Sequence, residues 1–159
     1  MTKNPKFNRN LLSLEDLEFL HDIRHKDVVK FSNESVRLFV RGFLCEHRLH
    51  ALKFTPRGRF AARYVGVGAT VQVSQDYHIP YMRGEVGTVI SICDNNIDAD
   101  GIDEYGYTIH RAKPATTVSV KFPNRVGQTW CFHRPEDLYG KIETLQVDRE
   151  KQYDYFRFK

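Results

Sequence analysis

Val67-Gly68-Ala69-Thr70-Val71-Gln72-Val73, Gly84-Glu85-Val86-Gly87-Thr88-Val89-Ile90-Ser91-Ile92, Thr117-Val118-Ser119-Val120-Lys121-Phe122 and Trp130-Cys131-Phe132-His133-Arg134-Pro135-Glu136-Asp137-Leu138 decide how this chain is read. Their apolar residues recur at every second position, the period of a half-buried strand. Val67, Ala69, Val71 and Val73 share one face, as do Val86, Thr88, Ile90 and Ile92, and again Val118, Val120 and Phe122. Gly84 and Gly87 suit a bend or bulge, and Pro80 keeps residues 78–84 out of a central strand. Trp130-Cys131-Phe132 reads as a buried strand, and Pro135 to Leu138 as a short closing helical turn. Together these predict a short, strongly bent β-barrel over 66–140, with 94–116 as a long polar hairpin insert.

Upstream the period changes. Residues 1–12 are polar and read as a loose arm. Ser13 caps a helix in a capping-box arrangement with Asp16, and Leu14, Leu17, Leu20 and Ile23 give its apolar face. Arg24 and Lys26 near its end suit the helix dipole. A second helix starts at Ser32 or Asn33, with Val36, Phe39, Val40, Phe43 and Leu44 as its apolar stripe. Arg37, Arg41 and Arg48 then lie along its opposite side. Residues 50–54 alternate as a short strand, and Thr55-Pro56 opens a third, two-turn helix.

Two resemblances follow from these residues. Leu49 to Tyr64, LHALKFTPRGRFAARY, resembles the end of winged-helix DNA-binding domains. That likeness maps a recognition helix onto Asn33–Leu44, carrying Arg37 and Arg41. The stretches GEVGTVISI, TVSVKFP and WCFHRPEDL resemble SH3-like barrels of the KOW type. That likeness implies a binding surface on the loops Tyr77–Arg83 and Pro123–Gln128. The expected fold class is α+β, a helical N-terminal part followed by an SH3-like barrel with a long hairpin insert. The expected domains are a basic helical unit over 1–65, the barrel over 66–140 with its insert at 94–116, and an aromatic, charged tail over 141–159 that packs on the rest.

The 159 residues carry a formal net charge of +4, unevenly spread. Residues 1–65 hold 13 Lys and Arg against 7 Asp and Glu, whereas 66–159 hold 11 against 13. A basic face draws in phosphate backbones by counterion release. Arg37, Arg41, Arg48, Lys53, Arg57, Arg59 and Arg63 form the expected nucleic-acid-binding cluster. Tyr77, His78, Tyr81, Arg83 and Arg125 form the expected partner-binding set, suited to stacking on bases or gripping a peptide.

Motifs for other chemistry are incomplete. Asn96 to Gly101 resembles the start of an EF-hand calcium loop, but Tyr107 stands where a bidentate Glu is required, so the segment reads as an acidic hairpin tip. Cys45, His47 and His50, with Cys131 and His133, lack a known zinc-ligand spacing. Cys131, His133 and Asp137 are the one compact nucleophilic set, and a thiol on a buried strand is inert. Three widely spaced cysteines fit a reducing compartment. With no apolar signal core and no run of eighteen apolar residues, the expected location is cytoplasmic, without membrane contact. The sequence thus predicts a non-enzymatic nucleic-acid-binding protein, for DNA or RNA, with no cofactor and no metal. The alternative is a protein-interaction module, an adaptor or inhibitor, using the barrel loops.

Overall fold

Ser13, Ser32 and Thr55 set where the helices begin. Each hydroxyl accepts the backbone N–H three residues on, from Asp16, Ser35 and Gly58. The helices that follow are α1 (Leu14–Asp22), α2 (Asn33–Val40) and α3 (Pro56–Ala62). The structure, a computed structural model, describes residues 10–47, 51–95, 105, 115–125, 127–145 and 153–155. Among them, no helix is long and apolar enough to cross a membrane.

Among the described residues, ten strands accompany these helices. Strands β1 (Leu11–Leu12) and β10 (Tyr153–Asp154) pair with each other, joining the two ends of the described chain. Strands β2 (Val29–Lys30), β3 (Leu44–His47) and β4 (Ala51–Phe54) form a sheet in the order β2-β4-β3. The third sheet holds β5 (Thr70–Val73), β6 (Val86–Asn95), β7 (Ala115–Lys121), β8 (Thr129–Phe132) and β9 (Leu138–Gly140), in the order β8-β7-β6-β5-β9. All pairs are antiparallel.

This corrects the expected fold class. The chain is an α+β mix of three short helices and ten strands in three sheets among the described residues, richer in strand than in helix. A helical N-terminal part followed by a barrel is not what forms, because the first 65 residues alternate helices with β1 to β4. Gly42 is one cause. It takes φ +84° just past α2, and Phe43 N–H donates to Leu38 O while Gly42 N–H donates to Phe39 O. This left-handed cap stops the helix and frees Leu44 to begin β3. The stripe expected to run from Arg37 through Arg48 therefore has no helix to lie on, and Arg48 itself is outside the described residues.

Two faces also differ from the expected pattern. On α2 the buried residues are Ser35 and Leu38, while Val36 and Val40 are exposed. In β6 a bulge between Val89 and Ser91 inserts Ile90 as an extra residue. Val89 and Ile92 are therefore buried, whereas Val86 and Ile90 are exposed. On β8 the buried residue is Phe132, which turns Cys131 outward, so the expected buried thiol is exposed. The expected insert overlaps the strands, with Asp94 paired to Thr116 and Asn95 to Ala115. The calcium-like stretch, apart from Tyr105, lies outside the described residues.

One apolar cluster runs from Leu12 to Tyr155 and contains residues of both the N-terminal elements and the large sheet. Tyr153 and Tyr155 of the tail are buried in it. Arg57 sits inside as well, only 3% exposed. Its Nη2 donates to Asn10 Oδ1 at 2.7 Å and its Nη1 lies 3.6 Å from Asp94 Oδ2. Its guanidinium carbon is 4.3 Å from the Phe43 ring centre and 5.5 Å from that of Tyr155. Removing one partner of a buried ion pair strands the other charge. Arg57→Met is therefore expected to lower unfolding stability in urea by about 3–5 kcal/mol, and adding Asp94→Asn to that variant is expected to restore part of the loss.

Candidate nucleic-acid interface

Five Lys and Arg side chains gather where the end of α1, strand β4, helix α3 and the 3-10 turn Pro135–Asp137 meet. They enclose a groove of about 410 Å³. Arg24 and Lys26 reach it from the turn after α1, Lys53 from β4, and Arg59 and Arg63 from successive turns of α3 and its cap. His25 adds an imidazole ring, and Asp27 and Glu136 are the carboxylates of its wall. Among the described residues, Arg24, Lys26 and Lys53 have no carboxylate partner.

Local structure fixes these positions. The α1 cap folds back, with Lys26 N–H donating to Ile23 O and Arg24 Nη1 to His21 O at 2.6 Å. Past α3, Tyr64 adopts φ +59°, unusual for a side chain with a Cβ. It is held there by stacking on His21, with ring centres 4.4 Å apart, and by Gly140, whose N–H donates to Arg63 O at 2.8 Å. A Cβ on Gly140 would lie 1.9 Å from Tyr64 O, so only glycine lets β9 approach α3 this closely. Arg63 Nε donates to Leu138 O at 2.8 Å, and its guanidinium lies over Tyr139 at 5.4 Å. Burial lowers the Arg63 pKa and Glu136 partly offsets that; a guanidinium stays charged regardless. Arg59 Nη1 and Arg134 Nε each lie 3.8 Å from Glu136, in pairs more than half exposed.

The expected arginine cluster is thus divided. Lys53, Arg59 and Arg63 come together in the groove. Arg37 and Arg41 instead share Asp16, at 2.5 and 3.3 Å, and the Asp16 side chain is 1% exposed. Arg57 is a buried structural cation. Arg24, His25 and Lys26 were missed, although the run Arg24-His25-Lys26 carries the signal; dipole compensation was its only expected use.

The expected partner-binding residues do converge. Arg83 Nε donates to Tyr77 O at 2.7 Å, and the His78 and Tyr77 rings are 4.5 Å apart. Arg125 stacks on Tyr81 at 4.9 Å. Trp130 completes the group, donating from Nε1 to Tyr77 Oη at 3.0 Å and meeting Tyr81 edge-on at 6.3 Å.

Among the other candidate groups, Cys131 Sγ faces Ser119 Oγ at 3.7 Å, and His133 Nδ1 bonds Thr117 Oγ1 at 3.1 Å. Asp137 lies on the turn beside Arg134, Glu136, His78 and Arg63. Among the described residues, no three His, Cys, Asp or Glu side chains converge as metal ligands.

Burial is the main cause that raises the Asp137 pKa above 3.8, while Arg134, His78 and Arg63 pull it down and Glu136 pushes it up. An acid whose folded pKa exceeds its unfolded value binds its proton more tightly when folded. It therefore costs stability above the folded pKa and nothing below the unfolded one. Asp137→Asn is expected to raise the melting temperature at pH 7, with the gain vanishing as pH falls toward about 4 in a pH series of thermal melts. Compared with protein-family models, curated proteins and solved structures, the chain matches none, so a functional reading rests on the groove and the residues around it.

Proposed function

We propose that this protein is a non-enzymatic nucleic-acid-binding protein that grips the phosphate backbone in the groove between α3, β4 and the Pro135–Asp137 turn. One observation carries the reading: five permanent cations face two carboxylates across a concave surface. A cleft lined by one sign of charge focuses the field and raises the local concentration of a polyanion. Among the described residues Arg24, Lys26 and Lys53 are in no ion pair, so a phosphate in the groove would meet cations that need not first leave a described carboxylate. Arg59 and Arg63 add planar donors suited to phosphate oxygens.

The second reading, a protein-interaction module, leans on exposed apolar residues. Val36 and Val40 stand one turn apart on α2, and Val28 and Phe31 flank β2. It draws less from residues 77–82, where Tyr77 and Met82 are buried and Tyr81 is the one strongly exposed apolar side chain. The charge in the groove favours the nucleic-acid reading.

Fluorescence anisotropy over a salt series distinguishes them. Affinity for any oligonucleotide is expected to fall linearly with salt on logarithmic axes, and Lys26→Glu with Lys53→Glu to flatten the slope by roughly 0.7–0.9 per lost contact. Arg37→Ala, which touches only the pair with Asp16, is expected to leave the affinity unchanged. Binding that ignores salt and both groove substitutions would overturn the reading.

A further inference from the structure

Tyr81 is 61% exposed and forms one group with Trp130 and Arg125. Its ring is thus accessible to stack on the π-face of a ligand. Arg125 stacks on it, Trp130 abuts its edge, and His78 stands exposed beside Tyr77. No carboxylate pairs with Arg125 among the described residues, and its Nε is buried without a hydrogen-bond partner. Among the described residues, a cation is thus held against an open aromatic surface with no carboxylate to compensate its charge. The matching ligand offers both a π-face and an anion, repeated along a chain.

The platform and the basic groove belong to one continuous run of structure. Trp130 lies on β8, and the chain continues through the exposed His133 and Arg134 directly into Pro135 and Glu136 of the groove wall. Five residues of extended chain span about 17 Å. From the other side, Ser74 N–H donates to Asp137 O at 2.9 Å, which ties the turn to the end of β5, just before Tyr77. Arg134, with its side chain 70% exposed, lies between Trp130 and Pro135 in the chain and 3.8 Å from Glu136 of the groove wall.

We propose that the protein binds single-stranded nucleic acid, with phosphates in the groove and unpaired bases stacked on the Tyr81–Trp130–Arg125 platform. This rests on the groove reading and adds to it the form of the ligand. Bases locked in a duplex cannot present their faces to Tyr81, whereas those of a single strand can. Stacking tolerates any base, so the preference is for strandedness over sequence.

The chain contains one tryptophan, so Trp130 emission reports on the platform alone. The test titrates the full chain with a single-stranded oligonucleotide of roughly ten nucleotides, its duplex, and an abasic oligomer of the same length. The single strand is expected to change Trp130 emission and to bind tighter than the other two. Tyr81→Ala is expected to weaken the single strand on the order of tenfold and to leave the abasic oligomer unaffected. Lys26→Glu with Lys53→Glu is expected to weaken both. If the groove variant weakens binding while Tyr81→Ala changes nothing, or changes base-bearing and abasic oligomers equally, the stacking proposal is overturned and the groove reading stands. If no oligomer binds, both fall. A Trp130 response to a proline-rich peptide and not to the oligonucleotide would overturn it in favour of a protein partner.

Discussion

A buried guanidinium holds this fold together. Arg57 has too little access to solvent to be hydrated, so its charge must be met from within. It is met by elements far apart in sequence: Asn10 before β1, the Phe43 ring at the corner between α2 and β3, Asp94 near the end of β6, and Tyr155 after β10. Tyr155 completes the circuit by donating its hydroxyl to Arg57 O, and its burial raises that phenol's pKa well above 10. The pairing of the first strand with the last, and of the N-terminal elements with the large sheet, meets at this one side chain. That also explains why Arg57 is unsuited to a ligand: withdrawing it would leave the largely covered Asp94 without this counter-charge.

What was legible in the sequence was local. The capping box at Ser13, the Thr55-Pro56 helix start and the alternation of Val118, Val120 and Phe122 are written within a few residues, and the structure contains them. What was not legible depended on partners distant in the chain. Nothing in the spacing of Arg37, Arg41, Arg57, Arg59 and Arg63 tells which meets a carboxylate, because Asp16, Asp94 and Glu136 come from other elements. The phase of α2 was misread because Val36 and Val40 form a plausible apolar stripe, yet the packing buries Leu38 and uses Ser35 to cap and to donate to Lys30 O. A single bulge residue, Ile90, reversed half of one strand's faces.

Net charge was a poor guide for the same reason. The positive excess of the first 65 residues includes Arg37, Arg41 and Arg57, all of which face carboxylates inside the molecule. The field available to a ligand comes from those left over, and α3 supplies both kinds. Arg57 points into the core while Arg59 and Arg63 face the groove, as the helical period requires of a short helix packed on one side. The close contact of Gly140 with Tyr64 then presses the last strand of the large sheet onto α3 and brings the turn carrying Glu136 across the groove.

Two carboxylates in this protein each serve a pair of arginines, and burial gives them opposite characters. Asp16 is sealed, receives Arg37 and Arg41 at 2.5 and 3.3 Å, and also accepts the Ser13 N–H of the helix cap. Its oxygens are committed to the two arginines and the cap, although Arg37 itself is 48% exposed. Glu136 is more than half exposed and stands 3.8 Å from both Arg59 and Arg134. Exposed pairs at that distance contribute at most about 1 kcal/mol each. A phosphate offering short, charge-assisted contacts to the same arginines competes with Glu136 on favourable terms. Glu136 therefore holds its two arginines loosely at the groove's edge, and on the proposed reading a polyanion would displace it at little energetic cost.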